Sequence, residues 1–122
     1  DSVIRIPCKL DYSFFKMWFM FLQPFHNLTA REMEVAASLV KQRYELSKAV
    51  LDEGILDKLV MSEDTKRKVR EECEMTLPHF QVVMGKLRKA KIIVDGKLNP
   101  RYLPKIPTDP ETFKLMLLFD FR

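Results

Sequence analysis

Glycine is scarce in this chain, with only three among 122 residues. That excludes a glycine-rich loop of the kind that cradles phosphates. With nearly half the residues apolar, it also points to a globular, helix-rich chain and not a disordered one. Cysteine is scarce too. Cys8 and Cys73 lie far apart and form no Cys-x-x-Cys pair. With no signal peptide in view, a reduced, cytoplasmic compartment is the expectation. His26 and His79, set beside the two cysteines, match no usual ligand spacing, so neither a metal nor another cofactor is expected. No Ser or Cys nucleophile signature is present, and the acidic residues are scattered over helix surfaces, so enzyme activity and a small-molecule substrate are not expected. The one long apolar run, YSFFKMWFMFL from Tyr12 to Leu22, is interrupted by Lys16. It falls short of the ~20 apolar residues a bilayer requires, so no membrane partner is expected. The chain opens on Asp1 and not on methionine, as processing or trimming would leave it.

What is present is concentrated between Met75 and Pro104, MTLPHFQVVMGKLRKAKIIVDGKLNPRYLP. Thr76 is a candidate N-cap, and Pro78 sits in the first turn, where a missing N–H costs nothing. Leu77, Phe80, Met84 and Leu87 recur at helical spacing with Val83 beside them, which predicts an amphipathic helix from Thr76 to Ala90. After Lys91 the period changes. Ile92, Ile93 and Val94 favour strand, and Asp95-Gly96 suits a two-residue hairpin turn whose central positions both need positive φ. Lys97 and Leu98 begin the return strand, which Pro100 ends. Between Lys86 and Lys105 there are seven cations (Lys86, Arg88, Lys89, Lys91, Lys97, Arg101, Lys105) against one acid, Asp95. A basic helix followed by a basic hairpin is the sequence form of a recognition helix plus wing, and the local charge is a footprint for a polyanion. A merely solvated Lys/Arg face is the plainer alternative.

The rest of the chain supplies the scaffold. Residues Ser2 to Leu10 alternate like a half-buried strand, with Pro7 placing it at an edge or breaking it. The aromatic segment lacks a polar face, which indicates burial in the core or at a subunit interface, and Pro24 is expected to end it. Leu28-Thr29-Ala30-Arg31-Glu32-Met33 contains a capping box that opens a helix buried through Met33, Ala36, Ala37, Val40 and Tyr44. Leu46 to Met61 is less regular, with Gly54 expected to break it. Ser62 opens a thin surface helix to Glu74, with Glu63 and Asp64 in its first turn and Val69 and Cys73 as its few apolar positions. Helix, short turn, second capped helix is the helix-turn-helix order, though no glycine sits in the turn. Beyond a proline-rich connector, Phe113, Leu115, Leu117, Phe119 and Phe121 alternate with polar and apolar neighbours as a strand would, a short helix being the alternative. Two apolar terminal strands are also what a β-augmented oligomer would carry.

Leu28 to Val35, LTAREMEV, resembles the opening helix of response-regulator helix-turn-helix proteins. That family continues quickly into a glycine and a scanning helix, where this chain inserts a long polar stretch. The ending LRKAKIIVDGKLNPRYLP is similar to winged-helix domains of phage and plasmid initiators, with their glycine-containing wing and Asn-Pro close. The pattern from the aromatic segment to the terminal LLFDF resembles small proteins of crAss-like tailed phages of gut Bacteroidales. That resemblance implies a phage DNA-binding regulator or a virion component.

The expected fold is mainly α with a small β component, a winged helix-turn-helix with possible N- and C-terminal strands. The expected organisation is one domain: residues 1–27 as strand plus aromatic helix, 28–104 as winged-helix core and 105–122 as a C-terminal extension. The expected function is non-enzymatic binding of double-stranded DNA in transcription or replication control. His79, Gln81, Lys86, Arg88, Lys89, Lys97 and Arg101 would carry it, with Gln81 able to pair with adenine and the basic residues placed on phosphates. The alternative is a virion or assembly protein that uses the fold for protein contacts. A homo-oligomer or phage structural partner would then dock on Phe14, Phe15, Trp18, Phe19, Phe113, Leu115, Leu117 and Phe119. Location would be the bacterial host cytoplasm, or the virion.

Overall fold

The computed structural model of the protein describes residues 2–122. Its centre is the longest helix. The Thr29 hydroxyl accepts from Glu32 N, and the Glu32 carboxylate accepts from Thr29 N, completing the expected capping box. The chain runs helically through Ala30–Ser47, which we call α3. Six consecutive residues, Val35 to Val40, are buried, so the helix is enclosed on every side and not along one stripe. The sequence pattern shows only part of this, because Ser38 and the alanines are small enough to admit neighbouring helices on what reads as a mixed face.

Four helices pack around α3. α1 (Tyr12–Phe21) is N-capped by the Asp11 carboxylate, which accepts from Ser13 N at 2.9 Å. It buries Phe15, Trp18 and Phe19 in the core. These three cannot serve as the docking face expected of them, because the helix spends its aromatic side on its own chain. Pro24 does not end α1. The helix stops at Phe21, and Pro24 sits in the first turn of a short α2 (Gln23–His26), where its missing N–H is harmless. Asn27 then turns the chain in the left-handed region, φ 56°. His26 secures this corner. Its Nδ1 accepts from Leu28 N at 2.9 Å, so Nε2 carries the proton and donates to Phe19 O at 2.8 Å.

α4 (Glu53–Val60) resolves the irregular stretch. Asp52 caps it by accepting from Ile55 N, and Gly54 lies in its first turn and does not break it. Leu56 and Val60 face inward, and Arg43 of α3 bonds Asp57 at 3.1 Å. α5 (Glu63–Glu72), capped by Ser62, is as thin as expected: only Thr65, Val69 and the following Cys73 are buried. Glu72 accepts from Ser38 Oγ at 2.6 Å and from Lys41, which ties α5 to α3. α6 (Leu77–Lys89) follows, then a two-stranded antiparallel hairpin, β1 (Ile93–Val94) and β2 (Lys97–Leu98). Ile93 pairs with Leu98 and Val94 with Lys97. Asp95 and Gly96 both take positive φ, 54° and 73°, as the turn requires. The architecture is therefore mainly helical with a small sheet.

The terminal strands are not formed. Residues 2–9 and 103–122 carry no helix or strand among the described residues. Alternation alone does not make a strand; a neighbour must supply hydrogen bonds, and the only sheet among the described residues is a hairpin of two residues per arm. The C-terminal extension instead lies along α1 through single side chains. The Phe113 ring meets Phe14 and Trp18 edge-on at 5.5 Å each, and the Trp18 indole N–H donates to Tyr102 O at 2.9 Å.

Candidate nucleic-acid interface

The α5–α6 corner is fixed without a glycine. Glu74 takes the left-handed position itself, φ 49°, and Met75 N donates to Arg70 O at 3.1 Å. Arg31 of α3 donates to Cys73 O at 2.9 Å, while the Tyr12 hydroxyl donates to Glu34 O and lies 3.5 Å from Cys73 Sγ. Burial pushes the ionisation of both Tyr12 and Cys73 upward, so both stay neutral. Met75 is buried beneath the turn. The sequence offers no sign of this clamp, since Arg31 and Tyr12 are distant from the turn they hold.

Phe80, Val83, Met84 and Leu87 form the buried face of α6, as the spacing predicts, while Leu77 is half exposed at its start. At 100° per residue the outward positions divide into two flanks. His79, Val82, Lys86 and Lys89 share one. Leu77, Gln81 and Arg88 share the other, which lines an open groove of about 750 Å³ with Arg67 and Arg70 of α5. The seven residues expected to contact DNA therefore do not form one face. His79, Lys86 and Lys89 share a flank, Gln81 and Arg88 turn toward α5, and Lys97 lies on β2 across a shallow cleft from Asp57 and Lys58 of α4.

The hairpin foot joins the C-terminal end of α6. Lys91 leaves the helix in the left-handed region, φ 65°. Ile92 N donates to Leu87 O, and Asn99 N donates to Ile92 O at 2.8 Å. The Asn99 side chain then donates from Nδ2 to Lys91 O at 2.9 Å and accepts from Arg101 N at 3.1 Å. This one side chain holds the return of β2 against the helix end and caps the short 3-10 turn Pro100–Tyr102, linking the backbone at Lys91 to that at Arg101. Neither Lys91 nor Asn99 is among the residues the sequence singles out for the site. Lys91 hides within a charge count because lysine is not a usual left-handed residue, and Asn99 offers only its place before a proline.

Most cations of α3 and α5 are paired, Arg70 being the exception on α5. On α5, Arg67 pairs with Asp64 and Glu71, Lys68 with Asp64, and Lys66 with Glu63. Hydrogen bonds from Arg67 and Lys68 hold the Asp64 carboxyl below its ordinary range. Lys41 and Arg43 of α3 are likewise paired. Among the described residues, none of the seven cations from Lys86 to Lys105 takes part in an ion pair, and all seven are exposed. No ion pair would have to be broken for an anion to approach these seven cations.

Of the expected docking residues, Phe14 and Phe113 cover each other at the edge of α1, while Leu115, Leu117 and Phe119 are exposed. No family model, no curated protein and no solved structure matches this chain.

Proposed function

We propose that the protein is a non-enzymatic winged-helix DNA-binding protein. In this reading α5 is the positioning helix, α6 the recognition helix and the β1–β2 hairpin the wing. The observation that supports it is the run of seven exposed cations from Lys86 to Lys105, with Asp95 the one acid among them and none in an ion pair among the described residues, beside α3 and α5, where Arg31, Lys41, Arg43, Lys66, Arg67 and Lys68 are paired with carboxylates. A role in phage transcription or replication, in the host cytoplasm, follows from the sequence resemblance. Fluorescence anisotropy on a labelled 20-base-pair duplex, titrated with salt, tests the reading. Affinity must fall steeply with salt, since neutralised phosphates release counterions. Absence of binding at low salt, or no loss in the variant Arg88→Ala/Lys89→Ala, refutes it.

A second reading has its own observation. Met116, Leu118, Phe119 and Phe121 are each about four-fifths exposed or more, an apolar load that DNA binding does not use. In this reading the protein assembles with itself or with virion proteins, and the basic surface meets packaged DNA or acidic protein. Light scattering separates the two: a monomer at micromolar concentration, with no assembly on adding partner, argues for the regulator.

A further inference from the structure

We infer that the corner where α6 meets the hairpin foot grips the duplex backbone without reading base sequence. This rests on the DNA-binding reading and specifies its substrate as any duplex DNA. A base-reading helix contacts base edges with the residues of its N-terminal half. Here that half, Leu77 to Gly85, carries no lysine, arginine, aspartate or glutamate. Its exposed positions include Leu77 and Val82, 50% and 61% exposed, which offer bases no hydrogen bond. Gln81 is the one amide able to take an adenine, and it lies on the groove flank with Arg67, Arg70 and Arg88.

The charge sits at the other end. Lys86 and Lys89 lie on the last turns of α6, Lys91 just past its end, and the Asn99 side chain links the backbone at Lys91 to that at Arg101. Five of the seven cations between Lys86 and Lys105 are lysines. Lysine is a flexible point charge suited to phosphates, whereas bidentate guanine reading favours arginine. The corner is thus built for phosphate positioning, and little near it reads sequence. Four phosphate contacts, from Lys86, Lys89, Lys91 and Arg101, give a slope of log affinity against log salt of about −3.6.

The test uses the full chain, two labelled 20-base-pair duplexes of unrelated sequence, and two double variants whose folding is checked by thermal melting. Lys91→Asn/Arg101→Gln removes charge while keeping a left-handed-tolerant residue at 91 and the backbone N–H at 101. His79→Ala/Gln81→Ala removes the polar groups of the α6 N-terminal half. The expected result is equal affinity for both duplexes within about threefold. The corner variant should flatten the salt slope by about 1.8 and lose about eightfold in affinity per contact at 0.1 M salt, and the His79/Gln81 variant should keep the parent's salt slope and its ratio of affinities for the two duplexes. A preference above tenfold for one duplex that disappears in the His79/Gln81 variant overturns the inference and leaves the DNA-binding reading intact. An unchanged slope in the corner variant does the same. No binding of either duplex by the parent protein overturns both.

Discussion

Replacing Asn99 with alanine tests whether one side chain joins the hairpin to α6. The substitution leaves the Asn99 N to Ile92 O bond in place and removes two others, from Nδ2 to Lys91 O and from Arg101 N to Oδ1. Each such bond contributes roughly 0.5–1.5 kcal/mol net. Lys91 and Arg101 are exposed, so water can replace the lost partners and each bond counts toward the lower part of that range. The expected loss is about 1–2 kcal/mol. Trp18, the only tryptophan, reports it in urea unfolding, because its indole bonds Tyr102 O three residues beyond Asn99. Hydrogen exchange locates the effect: the Asn99 amide should exchange faster while amides of α3 slow or quicken only with global stability. Asn99→Asp refines the argument. It keeps the acceptor for Arg101 N, loses the donor to Lys91 O, and sets a carboxylate among the corner cations. It should therefore cost less stability than a bare count of lost bonds suggests, yet weaken DNA binding more than alanine does. Unchanged unfolding energy together with unchanged exchange at Asn99 in the alanine variant would refute the claim that this residue anchors the hairpin.

Gly96→Ala places a Cβ in open space but at φ 73°, so the expected cost is about 1 kcal/mol of conformational strain without a clash, and Gly96→Asn should recover part of it in a thermal melt. His26 is held neutral by burial, its ionisation pushed below the usual histidine range despite its bond to Phe19 O. A histidine whose folded pKa is depressed takes up its proton more readily when unfolded. Stability is therefore fully present above the unfolded value near 6.5 and falls as pH drops from there toward the folded pKa. Urea unfolding at pH 7.5 and 5.5 should show this loss, and His26→Gln should shrink the difference. Phe113→Ala removes two edge-on aromatic contacts at 5.5 Å, worth about 1–2 kcal/mol together. It should make residues 105–122 more open to limited proteolysis and shift Trp18 emission, while a protease map identical to the parent's would show that the ring does not hold the extension.

Local signals in the sequence were the most faithful. Thr29, Ser62 and Thr76 cap the helices they were expected to cap, and Asp95-Gly96 makes the hairpin turn, because caps and tight turns depend on a few adjacent residues. Long-range features were less legible. Nothing in the run of aromatics distinguishes a core helix from an interface, and burial of Phe15 and Phe19 follows only once α3 is known to lie beneath them. The alternation at both ends read as strand, yet alternation records amphipathicity and not the presence of a pairing edge. Gly54 and Pro24 read as breakers and turned out to lie in first turns, where a helix has no hydrogen bond to lose. In the candidate site, the cations were legible as composition. Their division into flanks, and the Asn99 bonds that link the backbone at Lys91 and Arg101, depend on tertiary structure.

The seven unpaired cations do not all carry equal weight as evidence for a function. Lys86, Arg88 and Lys89 have a structural account of their own, since positive charge in the last turn of a helix meets the negative end of its dipole and stabilises it by about 0.3–1 kcal/mol each. Lys91, directly after the Ala90 C-cap, shares part of that account, whereas Lys97, Arg101 and Lys105 do not. These three lie beyond the helix and take part in no ion pair among the described residues. Off the helix, Lys97, Arg101 and Lys105 have either solvent or an external anion as their partner, and a binding measurement separates the two. For that reason Arg101, tested together with Lys91, is a sharper test of the proposed DNA binding than Lys86, Arg88 and Lys89. If removing those two charges raises stability by relieving repulsion while lowering affinity for duplex, the corner is a binding surface kept at the expense of the fold. If stability falls instead, their placement has a structural cause, and the charge argument for binding loses its strongest residues.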